Sequence, residues 1–217
     1  MATGLRPADM VGAFLSFEGI DGSGKSTQSR MLADALLRAG HRVVLTREPG
    51  GSAGAEDIRR LVLEGSVDRW STETELLLFT AARRDHLEKT IRPALARGDV
   101  VICDRFADST RIYQGLTRGE LRATVDRLHD LMIGTDPDLT LLIDVDPALG
   151  LSRAVARAGT ELRFEDMGLN IQQSARDGFL ALAAANPARV KVVSGARAPE
   201  DVARDVLALV QAHLATR

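Results

Sequence analysis

The chain has 217 residues, of which 45% are hydrophobic and 27% charged, and its formal net charge at pH 7 is −2. This length and composition are typical of one soluble globular domain with a substantial core. The small negative charge argues against a nucleic-acid surface or an anionic membrane as partner. The single cysteine, Cys103, excludes an internal disulfide framework and indicates a reducing compartment.

The N-terminal segment differs from the rest of the chain. Residues 1–12 include Arg6, Pro7 and Asp9, and they lack the apolar core of a signal peptide. We expect a loose extension over 1–12, followed by a single domain over 13–217. No run reaches the ~18 apolar residues that a bilayer-spanning helix needs. The sequence therefore predicts a cytoplasmic protein without membrane attachment.

Apolar segments alternate with amphipathic ones along the chain. Five short apolar runs are typical of buried strands: Phe14–Phe17, Arg42–Leu45, Val100–Cys103, Thr140–Val145 and Val190–Val193. A periodicity of about 3.6 residues predicts helices over Lys25–Arg38, Ala53–Glu64, Thr72–Ala96, Glu120–Met132, Pro147–Arg157, Ile171–Ala184 and Pro199–Leu214. This alternation predicts a three-layer α/β fold, with a five-stranded parallel sheet between helices. Ligands of such sheets bind outside the carboxyl ends of the strands.

A glycine-rich loop directly follows the first predicted strand and matches the phosphate-binding pattern G-x-x-x-x-G-K-[ST]. Glycines let backbone N–H groups point inward at a phosphate chain, and the dipole of the next helix adds positive potential. Lys25 is placed to reach the β- and γ-phosphates, and the Ser26 hydroxyl to meet Mg²⁺. A plain connecting turn is the alternative. The predicted ATP-binding residues are Gly19, Ile20, Asp21, Gly22, Ser23, Gly24, Lys25, Ser26 and Thr27.

Polar residues also follow the second and third strands. Arg47 and Glu48 stand in the loop after the second strand, where ligand contact and a purely structural role are equally open. Asp104 ends the third strand and can hold magnesium directly or through water. Arg105 beside it offers a planar fork for a phosphate, with a surface ion pair as the alternative. Polar groups at helical spacing come next: Ser109, Thr110, Tyr113 and Gln114.

The segment after the fourth strand is rich in arginine. Arg153, Arg157 and Arg163 lie in a stretch with a central glycine, and we expect a mobile lid over about 152–165. Arginines on such an element can close over a transferred phosphoryl group and neutralise its charge. A solvated helix face explains the same charge pattern equally well.

In order and spacing, these motifs resemble those of bacterial thymidylate kinases: residues 17–28, Thr46–Gly51, Asp104–Phe106 and Ser109–Gly115. The phosphate loop alone is shared by many enzymes, but the combination is much more specific. The resemblance covers nearly the whole chain from about Phe14. It implies a P-loop nucleoside monophosphate kinase fold, and transfer of the γ-phosphoryl group of MgATP to dTMP, giving dTDP and ADP. Mg²⁺ as cofactor, ATP and dTMP as ligands, and a homodimer are implied by the same resemblance.

The resemblance also assigns roles to single residues. Lys25 and Arg105 would act as catalytic cations on the donor and acceptor phosphates, and Asp21 would face the acceptor's 3′-hydroxyl or the metal. Phe79 would stack on thymine, and Arg83, one helical turn later, would hydrogen-bond it. The other residues expected around the acceptor are Arg47, Glu48, Ser109, Thr110, Gln114 and, at the 2′ edge of the sugar, Tyr113.

Two departures from the family pattern affect these roles. The phosphate loop carries no arginine of its own. The catalytic arginine is therefore expected from the lid, with Arg157 first, and Arg153 and Arg163 behind it. Phe106 stands where Tyr or His is common, which leaves an aromatic packing role and removes a polar group.

A phosphate acceptor needs no general base, because a monoester with a second pKa of about 6 is already largely dianionic. We therefore expect no catalytic histidine and assign packing or surface roles to His41, His86, His129 and His213. A deoxynucleoside kinase, with Glu48 as base toward a hydroxyl, is one alternative. A nucleotide switch acting through a protein partner is another, although the guanine-specifying Asn-Lys-x-Asp does not occur in the sequence.

Overall fold

The computed structural model describes residues 12–65, 69–117, 121–156 and 168–216. In this part of the chain five strands form one sheet: β1 (Ala13–Glu18), β2 (Val43–Arg47), β3 (Val100–Asp104), β4 (Leu139–Asp144) and β5 (Val190–Ser194). Every neighbouring pair is parallel, and the order across the sheet is β2-β3-β1-β4-β5. The predicted five-stranded parallel sheet is confirmed.

Helices cover both faces of this sheet. Their bounds are α1 (Lys25–Arg38), α2 (Ala53–Leu63), α3 (Thr72–His86), α4 (Arg92–Ala96), α5 (Ala107–Ile112), α6 (Arg122–Met132), α7 (Pro147–Ala156), α8 (Gly168–Ala185) and α9 (Pro199–Leu214). A π-helical turn, Leu87–Ile91, joins α3 to α4, and a second, Tyr113–Thr117, follows α5. The sequence shows polar residues at helical spacing in the region of α5 but gives no bounds for a helix there. The 6 residues of α5 form less than two turns, which is too short for a periodic pattern to define its ends.

The strand β1 is buried on both faces, and its side chains alternate between two cores. Leu15 packs on one side with Leu36 of α1 and Val206 of α9. Phe14 points to the other side, where its ring meets that of Phe106 edge-on at a centroid distance of 4.9 Å. A central strand without a solvent face explains why its sequence is apolar from Ala13 to Phe17 except for Ser16. The buried Ser16 hydroxyl is paired with that of Thr140 at 2.8 Å.

The strand register places the functional loops together. Phe17 of β1 pairs with Asp104 of β3, which in turn pairs with Arg47 of β2. The carboxyl ends of these three parallel strands therefore lie side by side, and the loops that leave them open onto one edge of the sheet.

Across the ranges given above, no helix combines the length and apolarity needed to cross a bilayer. The predicted N-terminal extension lies outside the described residues except for Gly12, whose N–H donates to the carbonyl of Leu95 at 3.0 Å. Of the predicted lid, only the stretch that ends at Ala156 is described.

Truncation of a central core ring tests this packing. Phe14→Ala is expected to lower the free energy of unfolding by about 3–5 kcal/mol, because Phe14 is 1% exposed and its removal leaves a cavity beside Phe106. Leu37→Ala, at a side chain that is 54% exposed, is the matched control and should change it by less than about 0.5 kcal/mol. Urea titration followed by circular dichroism measures both, and equal effects would contradict the assigned core.

Candidate active site

The phosphate loop connects β1 to α1 through backbone conformations that favour glycine. Gly22 and Gly24 have φ angles of 74° and 101°. A Cβ atom on Gly22 would come within 1.8 Å of the Gly150 carbonyl oxygen in α7, so no side chain fits there. Gly24 caps α1, and the first helical residue is Lys25. The loop thus turns tightly onto the positive end of a helix, the arrangement expected of an anion site.

Lys25 lies inside this loop, where it is 6% exposed. Its Nζ donates to the Ile20 carbonyl at 2.7 Å. Burial lowers the pKa of Lys25 to about 8, assisted by the charge of Arg105 and opposed by Asp21 and Asp104. The side chain brings its ammonium group against the loop backbone that a phosphate chain would follow.

Two oxygen donors meet beside the loop. The Ser26 hydroxyl donates to Oδ2 of Asp104, which ends β3. A hydroxyl and a carboxylate in contact next to an anion site are the hard oxygen ligands that Mg²⁺ prefers. The residues predicted as metal ligands are therefore brought together, with a chemistry that fits the ion.

An open cavity lies on the β2–β3 side of the loop. All the residues predicted around the acceptor line it except Arg47: Asp21, Glu48, Phe79, Arg83, Arg105, Ser109, Thr110, Tyr113 and Gln114. The Arg47 side chain is 54% exposed and forms an ion pair with Glu56 at 3.1 Å. Sequence reasoning missed Pro49, Arg59, Leu63 and Phe106 among the lining residues.

Arg105 occupies the floor of this cavity. Its φ of 71° lies in the left-handed region, which is uncommon for a residue other than glycine. The guanidinium donates to Oδ1 of Asp21, to Ser109 Oγ at 3.0 Å and to the Gly19 carbonyl at 3.2 Å, and it stands 5.4 Å from the centre of the Tyr113 ring. Although burial opposes ionisation, Arg105 and Lys25 hold the pKa of Asp21 below its ordinary value.

Arg83 forms the opposite wall through a buried ion pair. Its Nε donates to Glu48 Oε2 at 2.7 Å, and both side chains are about 95% buried. Its Nη2 donates to Thr110 Oγ1 at 3.0 Å and to the Phe106 carbonyl at 3.2 Å. His86 Nδ1 lies 3.0 Å from the second oxygen of Glu48. Because both Glu48 oxygens have partners, Glu48 is arranged to orient Arg83 rather than to accept a proton from a substrate hydroxyl.

Glu18 is a further site residue that sequence reasoning missed. It is 1% exposed and accepts hydrogen bonds from Ser109 Oγ at 2.6 Å, from Phe106 N at 2.8 Å and from Ser109 N at 3.2 Å. Burial, with the charge of Asp108, raises the pKa of Glu18 to about 7, while Arg105 opposes the shift. The available signal was a carboxylate that ends an otherwise apolar strand.

A second cavity opens on the other side of the phosphate loop. Arg153 lines it and donates from Nη1 to the Gly195 carbonyl at 2.9 Å. Arg197 and Val202 complete the wall opposite Gly24. The other two predicted lid arginines, at positions 157 and 163, lie outside the described residues.

Comparison with known proteins decides the family. A family model described as thymidylate kinase matches residues 17–206. The chain belongs to the thymidylate kinase family. Its membership confirms the P-loop fold and makes the chain a phosphotransferase, in preference to the deoxynucleoside kinase and nucleotide-switch alternatives.

Individual relatives agree with this family. The chain is 68% identical over 203 residues to the thymidylate kinase of Ruegeria pomeroyi, covering 94% of this chain and 96% of the relative. It is 65% identical over 197 residues to that of Dinoroseobacter shibae, covering 91% and 95%. The solved structure of thymidylate kinase from Ehrlichia chaffeensis superposes with a TM-score of 0.76 at 37% identity, covering 92% of this chain and 98% of that one.

The buried carboxyl of Glu18 gives stability a specific pH dependence. Folded Glu18 keeps its proton up to pH about 7, whereas the unfolded chain loses it near the ordinary pKa of 4.5. The folded state thus binds more protons between these values, and the free energy of unfolding falls as pH rises through that window. The loss approaches about 3 kcal/mol, at about 1.4 kcal/mol per tenfold change in the proton dissociation constant.

Glu18→Gln removes this dependence. We expect the variant to gain stability relative to the parent between pH 4.5 and pH 8, measured by urea unfolding at several pH values. Glu64→Gln, at an exposed position, should follow the parent curve and serves as control. Parallel curves for Glu18→Gln and the parent would show that Glu18 titrates at an ordinary pKa.

Proposed function

We propose that this chain transfers the γ-phosphoryl group of ATP to dTMP, forming dTDP and ADP. The observation that carries the proposal is the junction of the two cavities at the phosphate loop. Asp21 lines the first cavity, and the adjoining residues Gly22, Ser23 and Gly24 line the second. A donor in the second cavity, with its phosphates along the loop, therefore ends next to an acceptor in the first.

In the acceptor cavity, Arg105 binds the monophosphate and Phe79 stacks on the base. Arg83, one turn after Phe79 on α3, donates to the base, and Tyr113 lies against the 2′ edge of the sugar. The support is the shared lining of one cavity by these four side chains. Asp21 and Glu48 also hold the guanidinium groups of Arg105 and Arg83 before any substrate contact. These two side chains therefore lose little conformational freedom when substrate binds.

Ser26 and Asp104 would hold Mg²⁺, because their oxygens meet beside the phosphate loop. When bound, the ion supplies positive charge that offsets repulsion between the donor and acceptor phosphates. The contribution of the chain itself is electrostatic: Lys25 and Arg105 place fixed cations around the transferred group. No residue is needed to remove a proton from the acceptor.

The proposed assembly is a homodimer in the cytoplasm. α3 packs with both α2 and α6, and each of these helices leaves a leucine exposed: Leu61 on α2, Leu77 on α3 and Leu131 on α6. A second copy of the chain would cover these side chains. A buried free thiol at Cys103 is compatible with a reducing compartment.

The decisive experiment measures ADP release with MgATP and a panel of acceptors: dTMP, dUMP, dCMP, dGMP, dAMP, UMP and thymidine. Turnover should concentrate on dTMP, because Arg83 and Phe79 face the base while Tyr113 crowds a ribose 2′-hydroxyl. Turnover of thymidine without turnover of any monophosphate would mean a hydroxyl acceptor and would overturn the proposal.

Arginine substitutions identify the group that acts on the transferred phosphoryl. Arg157→Ala is expected to lower kcat about a hundredfold or more and to leave the KM for dTMP within about threefold, because its charge acts in the transition state. Arg153→Ala is the matched comparison: Arg153 lines the donor cavity, so the KM for ATP should rise more than kcat falls. The reverse pattern would transfer the catalytic role to Arg153.

A further inference from the structure

His86 is a fully buried histidine at the end of α3, and the transfer mechanism gives it no chemical role. Its ring contacts polar groups on both sides. Nδ1 lies 3.0 Å from Glu48 Oε1, and Nε2 lies 2.8 Å from Thr46 Oγ1. Since a carboxylate only accepts hydrogen bonds, Nδ1 carries the proton and donates to Glu48. In the neutral ring Nε2 then accepts from the Thr46 hydroxyl.

The ring of His86 is the middle of a chain of contacts that reaches the acceptor cavity. Glu48 in turn accepts a hydrogen bond from Nε of Arg83 at 2.7 Å. Arg83 is fixed at its far end by Thr110 Oγ1 at 3.0 Å. His86 and Thr46 themselves do not line the cavity, whereas Glu48, Arg83 and Thr110 do. His86 thus acts on the site only through Glu48.

The loop after β2 packs closely against the ring of His86. A Cβ atom on Gly51 would lie 2.3 Å from Nε2, so the loop backbone closes directly over the ring. Neighbours on the same helical segment hold that loop: Asp85 accepts from Ser52 Oγ at 2.6 Å, and Thr90 Oγ1 donates to the Gly51 carbonyl at 2.6 Å. The π-helical turn begins immediately after His86. Such turns are frequently found at functional sites.

A metal is a competing use of this cluster, because donor atoms of Glu48, His86 and Cys103 lie within 4.8 Å of one another. Each donor is already engaged within the protein, however. Glu48 and His86 bind as described, and Cys103 Sγ donates to the Arg105 carbonyl at 2.9 Å. A bound cation would also have to displace Arg83 from Glu48. The geometry is that of a hydrogen-bonded support.

We propose that His86 is a positioning residue for acceptor selectivity, which through Glu48 holds Arg83 in the orientation that distinguishes a pyrimidine 4-carbonyl from a 4-amino group. A guanidinium can only donate hydrogen bonds. It therefore pairs with the 4-carbonyl of dTMP and opposes the 4-amino group of dCMP. This discrimination requires a fixed guanidinium, because a mobile one swings away from the wrong base. The inference rests on the proposed function, in which Arg83 meets the base.

Two amide substitutions separate the contacts of the ring. In His86→Asn the amide nitrogen takes the place of Nδ1 and still donates to Glu48, whereas in His86→Gln it takes the place of Nε2 and reaches only Thr46. We expect His86→Gln to raise the KM for dTMP about tenfold and to lower the dTMP-to-dCMP ratio of kcat/KM about tenfold, with kcat for dTMP within about threefold. His86→Asn should keep that ratio within about threefold of the parent. Equal losses of selectivity in the two variants would overturn the proposal.

A cycle with Arg83→Ala distinguishes this inference from the function on which it rests. Arg83→Ala should abolish discrimination by itself, and His86→Gln should then change the ratio no further. If Arg83→Ala leaves the ratio unchanged, Arg83 does not contact the base and the proposed site fails. If Arg83→Ala abolishes discrimination while His86→Gln preserves it, or the two effects multiply, only the role of His86 is refuted.

Thr46→Val is the matched control, since it removes the partner of Nε2 and leaves the Glu48 contact in place. Its selectivity should stay within about threefold of the parent. Melting temperatures of all variants identify any that fail to fold. In that case His86→Met, which fills the space without bonding to either partner, replaces His86→Gln and should show the same loss of selectivity. Retained selectivity in a folded His86→Met variant refutes the role.

Discussion

A cation fixed beneath the phosphate loop sets the architecture of this site. Arg105 adopts a left-handed backbone conformation, which costs a residue with a side chain about 1–3 kcal/mol. Its contacts with Asp21, Gly19 and Ser109 offset that cost, and the charge of Asp21 raises the pKa of Arg105 despite burial. Glu18 fixes Ser109 from below. The phosphate loop, the end of β1 and the start of α5 are therefore locked to one another through a single guanidinium.

The acceptor cavity repeats this arrangement at its far wall. Arg83 and Glu48 form a second arginine–carboxylate pair, more deeply buried than Arg105 and Asp21. Removing such charges from water is expensive, and a buried ion pair is weak evidence for stability. The ion pair here fixes the orientation of Arg83, because a planar guanidinium held at two points presents its remaining N–H groups in fixed directions. In the proposed function, one pair would serve the phosphate end of the acceptor and the other would serve the base.

The sequence was sufficient for the sheet, because buried parallel strands appear as apolar runs and the five runs are well separated. It also placed Asp21 and Ser26, since a phosphate loop has a fixed spacing, and it placed Asp104 at the carboxyl end of an apolar strand. Partners distant in the chain were beyond its reach. Glu18 and Ser109 are 91 positions apart, and Glu48 and His86 are 38 apart. Such pairings depend on tertiary packing, and local periodicity in the sequence carries no information about which distant residues meet.

The loop after β2 shows that the sequence also could not decide between two adjacent residues. Arg47 and Glu48 are adjacent, and the motif made both equal candidates for the acceptor. Glu48 directly follows β2, and its N–H still donates to the Asp104 carbonyl at 3.0 Å, so the alternation of the strand extends to it. Glu48 therefore turns into the cavity, while Arg47 turns out to Glu56. Which of the two faces inward follows from the register of β2 against β3, and that register is a property of the folded sheet.

The contact between Gly22 and Gly150 links the two halves of the site in a way that no ligand contact reveals. A Cβ on Gly22 would collide with the Gly150 carbonyl, and a Cβ on Gly150 would lie 2.7 Å from the carbonyl oxygen of Asp21, the residue before Gly22. α7, which carries Gly150, runs on to Ala156 at the border of the donor cavity. Both positions are therefore expected to reject any side chain because of backbone packing, whether or not they also contact a nucleotide. Engineering the nucleotide specificity of this enzyme has to leave that backbone junction untouched.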